Sequence, residues 1–223
     1  MSGVGWLAWV TVAAVAIGYA VGARLAGQLA ELGYRIDTEE GAPPPRALWS
    51  VAPAVGATWG LLVWHLGERH GGVDLPAYLV LATIGVALAR IDADVHRLPS
   101  GLTYPTAAAV AALLVVSSAL SGQWSCLLHA GVATVLATVV YLLLALVSRG
   151  QFGWGDVILG VILSGALGYL SPIAPWLALV LAFTGASLVA LAGMLTRRLT
   201  LRSRIAFGPY LLAGALVAAL VTG

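Results

Sequence analysis

Three acidic side chains, Asp92, Asp94 and Asp156, stand at the edges of apolar runs. A carboxylate there is costly, so it marks a working group with a partner to be found. Asp92 follows Val86-Ala87-Leu88-Ala89-Arg90-Ile91, and Asp156 follows Gly153-Trp154-Gly155 at the head of another apolar run. Two carboxylates brought close together cannot both ionise cheaply, and they share one proton as a dyad. A dyad of this kind cleaves amides without a metal or a covalent intermediate. One carboxylate takes a proton from the attacking water while the other, protonated, hydrogen-bonds the scissile carbonyl. Gly153 and Gly155 lack a Cβ and so let backbone approach a neighbouring helix or an extended substrate. Each half also has a plain structural meaning: Asp156 as the cap of a helix N-terminus, and Asp92 as an interfacial acid balanced by Arg90 or Arg97. Asp94, two residues beyond Asp92, points nearly away from it on a helix and is expected to play a supporting role at most.

The elements that must position these groups are membrane helices. The 223 residues are 61% hydrophobic and 9% charged, with a mean hydropathy of +0.98, whereas a soluble domain carries about a quarter charged residues. Apolar runs long enough to approach the roughly 30 Å hydrocarbon core recur along the chain. They predict about eight spans, near 4–24, 49–66, 76–91, 103–120, 124–147, 156–171, 174–195 and 205–222, with the third and sixth short. The fold class expected is therefore an all-α polytopic bundle, a single membrane domain over 1–223. Asp37, Glu39, Glu40 and the run Pro43-Pro44-Pro45 mark the longest polar stretch as a short loop over 25–48.

All eleven basic residues are arginines, and their placement predicts orientation. If the first helix starts outside, Arg24, Arg35, Arg46, Arg90, Arg97, Arg149, Arg197, Arg198, Arg202 and Arg204 fall inside and only Arg69 outside. Both termini are then extracytoplasmic, and the loops 92–102, 148–155 and 196–204 face the cytoplasm. Asp92 and Asp156 share one depth in that arrangement. Cys126 is the single cysteine and has no partner for a disulfide or a thiolate zinc site. The histidines, His65, His70, His96 and His129, lack ligand spacing, so neither metal nor cofactor is expected. The net charge of +2 gives no reason to expect nucleic acid as a partner.

The stretch Ile91-Asp92-Ala93-Asp94-Val95-His96-Arg97-Leu98-Pro99-Ser100-Gly101-Leu102-Thr103-Tyr104-Pro105 resembles the first active-site motif of type IV prepilin peptidases, the leader-cleaving members of the GxGD aspartic membrane proteases. Gly153-Trp154-Gly155-Asp156-Val157 resembles their Gly-x-Gly-Asp motif, continued by Gly165-Ala166-Leu167-Gly168. The two aspartates stand 64 residues apart, a separation the family shares. Phe207-Gly208-Pro209-Tyr210-Leu211 with Gly214 is similar to a third signature, and Gly18-x-x-x-Gly22 is a faint echo in the first span. The likeness covers about 80–222, which it implies is the peptidase core. It implies that Asp92 and Asp156 are catalytic, that Gly153, Gly155 and Asp94 support them, and that Asp94 is not itself catalytic. The implied substrates are prepilin-like membrane proteins carrying a polar leader ending in Gly before an apolar helix.

The chain departs from the family pattern in the 25–48 loop, which lacks the two Cys-x-x-Cys pairs that would hold zinc. Cleavage without methyl transfer is the expectation. Ile158 and Ser100 also stand where the family usually has Lys and often has Asp; neither change touches the dyad. Three other readings of the same aspartates stay open: a protease for other membrane helices, a proton- or cation-coupled transporter, and a catalytically silent assembly scaffold.

Overall fold

In hydrocarbon every backbone donor and acceptor must be satisfied within its own segment, and the α-helix is the local solution. A computed structural model describes residues 3–36, 45, 47–148, 152–197 and 206–223. Among them the apolar runs form eight α-helices and no strand: α1 (Gly3–Ala30), α2 (Val51–Leu66), α3 (Leu75–Val95), α4 (Ser100–Ser121), α5 (Trp124–Val147), α6 (Trp154–Leu170), α7 (Ala174–Leu195) and α8 (Gly208–Thr222). The protein is a polytopic membrane helical bundle. Five helices, α1, α3, α4, α5 and α7, are long and apolar enough to cross a bilayer, while α2, α6 and α8 are shorter at 16, 17 and 15 residues. Most of the acidic and proline-rich part of the 25–48 loop lies outside the described residues, as do Arg46, Arg149, Arg198, Arg202, Arg204 and the first residue expected in the eighth span, Ile205.

Two helices run longer than their apolar runs suggest. α1 continues past Arg24 because Leu25 and Leu29 keep the apolar stripe, and Leu29 is buried with Val51, Val55 and Ile91. The third span is not short: α3 has 21 residues and carries Asp92 and Asp94 in its last turns. It stops where His96 adopts a left-handed conformation and its N–H caps the Asp92 carbonyl at 2.9 Å. Pro99 then holds the chain extended up to the start of α4.

α6 is buried nearly all round, as expected of a central helix. α5 packs along one side of it, α7 packs on α8, and α1 on α2, with α3 and α8 completing the centre. The close approach of α1 to α2 depends on Gly22, where an added Cβ would stand 2.8 Å from the Ala52 Cα. Buried hydrogen bonds tie the centre together. Tyr78 donates to the Ala166 carbonyl at 2.8 Å, and the Tyr169 hydroxyl meets Ser117 and Ser118 at 3.2 and 3.1 Å. Leu128, Val135, Leu143, Val180, Leu188 and Leu195 face outward as an apolar belt, with Trp6, Trp9, Trp49, Trp124 and Trp154 exposed near helix ends.

The end of the bundle carrying Arg69 is closed by an ionic cluster built from one short stretch of sequence. Asp74, fully buried at 0% exposure, lies 3.5 Å from Arg69 and 3.4 Å from His70. Arg69 also donates to the Leu170 carbonyl at 2.8 Å, capping the last turn of α6. Burial pushes the Asp74 carboxyl above the usual carboxylate range. Removing one partner of a buried pair leaves an uncompensated charge, so Asp74→Ala should destabilise the fold. With Arg69 partly exposed, the expected loss is about 2 to 3 kcal/mol. Thermal unfolding in detergent measures it, and an unchanged midpoint would contradict this account of the cluster.

Candidate active site

Asp92 sits one turn before the end of α3 and is 4% exposed. Its Oδ2 accepts a hydrogen bond of 2.9 Å from the backbone N–H of Gly208, the first residue of α8. The first amides of a helix have no partner within it, and a carboxylate there is held by both the hydrogen bond and the helix dipole. Gly208 is also a spatial requirement, since an added Cβ would stand 2.8 Å from Asp92 Oδ2. Sequence reasoning left Gly208 out of the site. The signals available were the Phe207-Gly208-Pro209 signature and Pro209 itself, which marks a helix start, where the first amides have no intrahelical partner.

Asp156 lies in the first turn of α6. Its Oδ1 is buried and has no hydrogen-bond partner among the described residues, and the two carboxylates are near enough to interact electrostatically. Asp92 and Asp156 line one open cavity of about 300 Å³, with His96, Ser100, Tyr104 and Gly153 also on its walls. A space of that size holds on the order of ten waters, enough for a peptide segment and an attacking water. The structure therefore brings Asp92, Asp156, Gly153 and Gly155 together.

The supporting glycines act by closeness. An added Cβ at Gly155 would stand 2.7 Å from the Leu98 Cβ, so this glycine lets the start of α6 press against the Leu98-Pro99 segment between α3 and α4. At Gly153 the same atom would meet Asp156 Oδ2 at 3.0 Å. Beneath them Tyr141, Phe152, Phe207 and Phe183 form a chain of ring contacts at 6.2, 5.4 and 5.0 Å. Phe152 immediately precedes Gly153 and Phe207 precedes Gly208, so this chain fixes the approach to both aspartates.

Asp94 faces elsewhere. Arg35 donates to it through two nitrogens, Nη2 to Oδ1 at 2.9 Å and Nε to Oδ2 at 3.0 Å, and the Tyr34 hydroxyl donates to Oδ2 at 2.8 Å. Arg97 in turn donates to the Tyr34 carbonyl at 2.9 Å. The forked guanidinium geometry makes this a specific anchor, tying the segment after α1 to the end of α3. Burial and the bond to Asp94 push the Tyr34 phenol up to about 12, so it remains a donor at any physiological pH. Arg90 donates to the Ser50 hydroxyl and joins α3 to the start of α2.

No group of three or more His, Cys, Asp or Glu is placed to hold a metal ion among the described residues. His70 belongs to the opposite end of the bundle and His96 to the rim of the carboxylate cavity. The chain matches no family model, no curated protein and no solved structure.

Proposed function

We propose that this protein is an aspartic endopeptidase that removes the leader of prepilin-like membrane substrates at the cytoplasmic face of the cell membrane, with both termini outside. The observation that carries the reading is that Asp92 and Asp156, from separate helices, line one cavity at the same end of the bundle. The motif resemblance, the Gly208 bond to Asp92 and the arginine asymmetry support it. The transporter alternative predicts helices interrupted near the midplane, whereas α3 and α6 run unbroken to the site.

In the proposed reaction a water held between the carboxylates attacks the scissile carbonyl carbon. Its proton passes to the ionised aspartate, while the protonated one donates to the carbonyl oxygen. Collapse of the tetrahedral intermediate breaks the C–N bond, and the proton taken from water goes to the departing amine. No metal or cofactor enters these steps. Co-expression with candidate prepilin substrates tests the activity: the wild type should yield the shortened product and Asp92→Asn should leave the precursor intact. Mass spectrometry of that product should show an unmethylated new N-terminus, given the 25–48 loop without its cysteines. Equal processing by Asp92→Asn would overturn the reading.

A further inference from the structure

A second cavity lies further along two of the helices that line the carboxylate cavity. α4 brings Ser100, Thr103 and Tyr104 to the carboxylate cavity, and the following turns of the same face, Ala107, Ala111 and Val115, line the second, of about 390 Å³. α6 does likewise, with Gly155, Asp156 and Ile158 in the first cavity and Val161, Ile162 and Gly165 in the second. Spacings of three, four and seven residues keep each series on one helix face. The third wall is α5, at Gly131 and Thr134. From Ser100 to Val115 the run is about 22 Å at 1.5 Å per residue, most of a roughly 30 Å hydrocarbon layer.

This groove exists because α5 is locked onto α6 while α4 touches both only sparsely. Ala111 and Gly131 keep its mouth open, and an added Cβ at Gly131 would meet nothing within 4 Å. Ala111, Val115 and Gly131 are exposed toward the apolar surroundings of the bundle. The hydroxyl of Thr134 is already given to the Ala130 carbonyl at 2.8 Å. The walls therefore offer an occupant no free hydrogen-bond donor. An α-helix needs none, having satisfied its own backbone, and the small residues at the groove, Ala107, Ala111 and Gly131, suit the close approach of another helix.

Resting on the endopeptidase reading, we propose that the groove between α4 and α6 is the dock for the apolar transmembrane helix of the protein that is cut, which delivers the peptide at the end of that helix to Asp92 and Asp156. The alignment of the two cavities along one face of both helices argues for a substrate helix over an acyl chain, which would have no reason to end at a pair of carboxylates.

The test uses full-length protein in proteoliposomes with a substrate made of a polar leader and an apolar helix. In an Asp156→Asn background, the photoreactive residue benzoylphenylalanine is placed at Ala111 or, as a control, at Val139 on the outward face of α5. The substrate helix should crosslink at Ala111 and not at Val139. In otherwise wild-type protein, Ala111→Trp should raise KM about tenfold with kcat held, the signature of lost docking. A thermal midpoint close to wild type confirms that this variant is folded. Crosslinks to phospholipid alone, equal crosslinking at both positions, or an unchanged KM in Ala111→Trp would each overturn the dock. A substrate that crosslinks at Ala111 yet is never cut by wild type would sink the endopeptidase reading and leave the dock standing.

Discussion

Asp92→Asn and Asp156→Asn should each lower the rate of leader cleavage by about a thousandfold or more, and the double variant should be hardly slower than either single one. Asparagine keeps the size of the side chain and removes its titration. The acid and base roles need two coupled carboxylates, so losing one disables both. Asp94→Asn provides the contrast. Its partners are Arg35 and Tyr34, away from the cavity that Asp92 and Asp156 line, and it should retain most of the activity while loosening the segment after α1. Initial rates with a purified leader-bearing substrate decide the matter. A dead Asp94→Asn beside an active Asp92→Asn would reverse the assignment of roles.

The second large effect is expected at a residue that carries no side chain. Gly208→Ala should lower kcat by about a hundredfold, the loss typical of a misplacement of about 1 Å at a reacting group. The new methyl would stand 2.8 Å from Asp92 Oδ2, so either the carboxylate turns or α8 retreats and its amide leaves the oxygen it now holds at 2.9 Å. KM for the substrate should change little, because the α4–α6 groove is untouched. Steady-state kinetics separate the two parameters. A Gly208→Ala variant with wild-type kcat would show that the amide contact has no part in placing Asp92.

The helices were legible in the sequence because a membrane segment must be both apolar and long, and both properties are local. Their ends were less so. α1 and α3 continue beyond their apolar runs because partners distant in sequence bury Leu29 and hold the last turn of α3. Asp92 and Asp156 stood out as acids at apolar edges, the second flanked by glycines. The reason for Gly155 became visible only with Leu98 against it, and that for Gly208 only with Asp92 beside it. Contacts across 116 residues, as between Gly208 and Asp92, leave no periodic trace in one sequence. The Tyr34 and Arg35 anchor on Asp94 and the bond from Arg69 to the Leu170 carbonyl were hidden for the same reason, whereas Arg69, His70 and Asp74 are neighbours in sequence and only the burial of their cluster was not legible.

The most direct measurement of the central claim is leader cleavage by the purified protein in proteoliposomes containing EDTA, read by mass spectrometry of the substrate. The wild type should cut once, at the junction between the polar leader and the apolar helix, and Asp156→Asn should leave the substrate whole. An intact substrate with folded wild-type protein, or equal cleavage by Asp156→Asn, would contradict the assignment of Asp92 and Asp156 as a proteolytic pair.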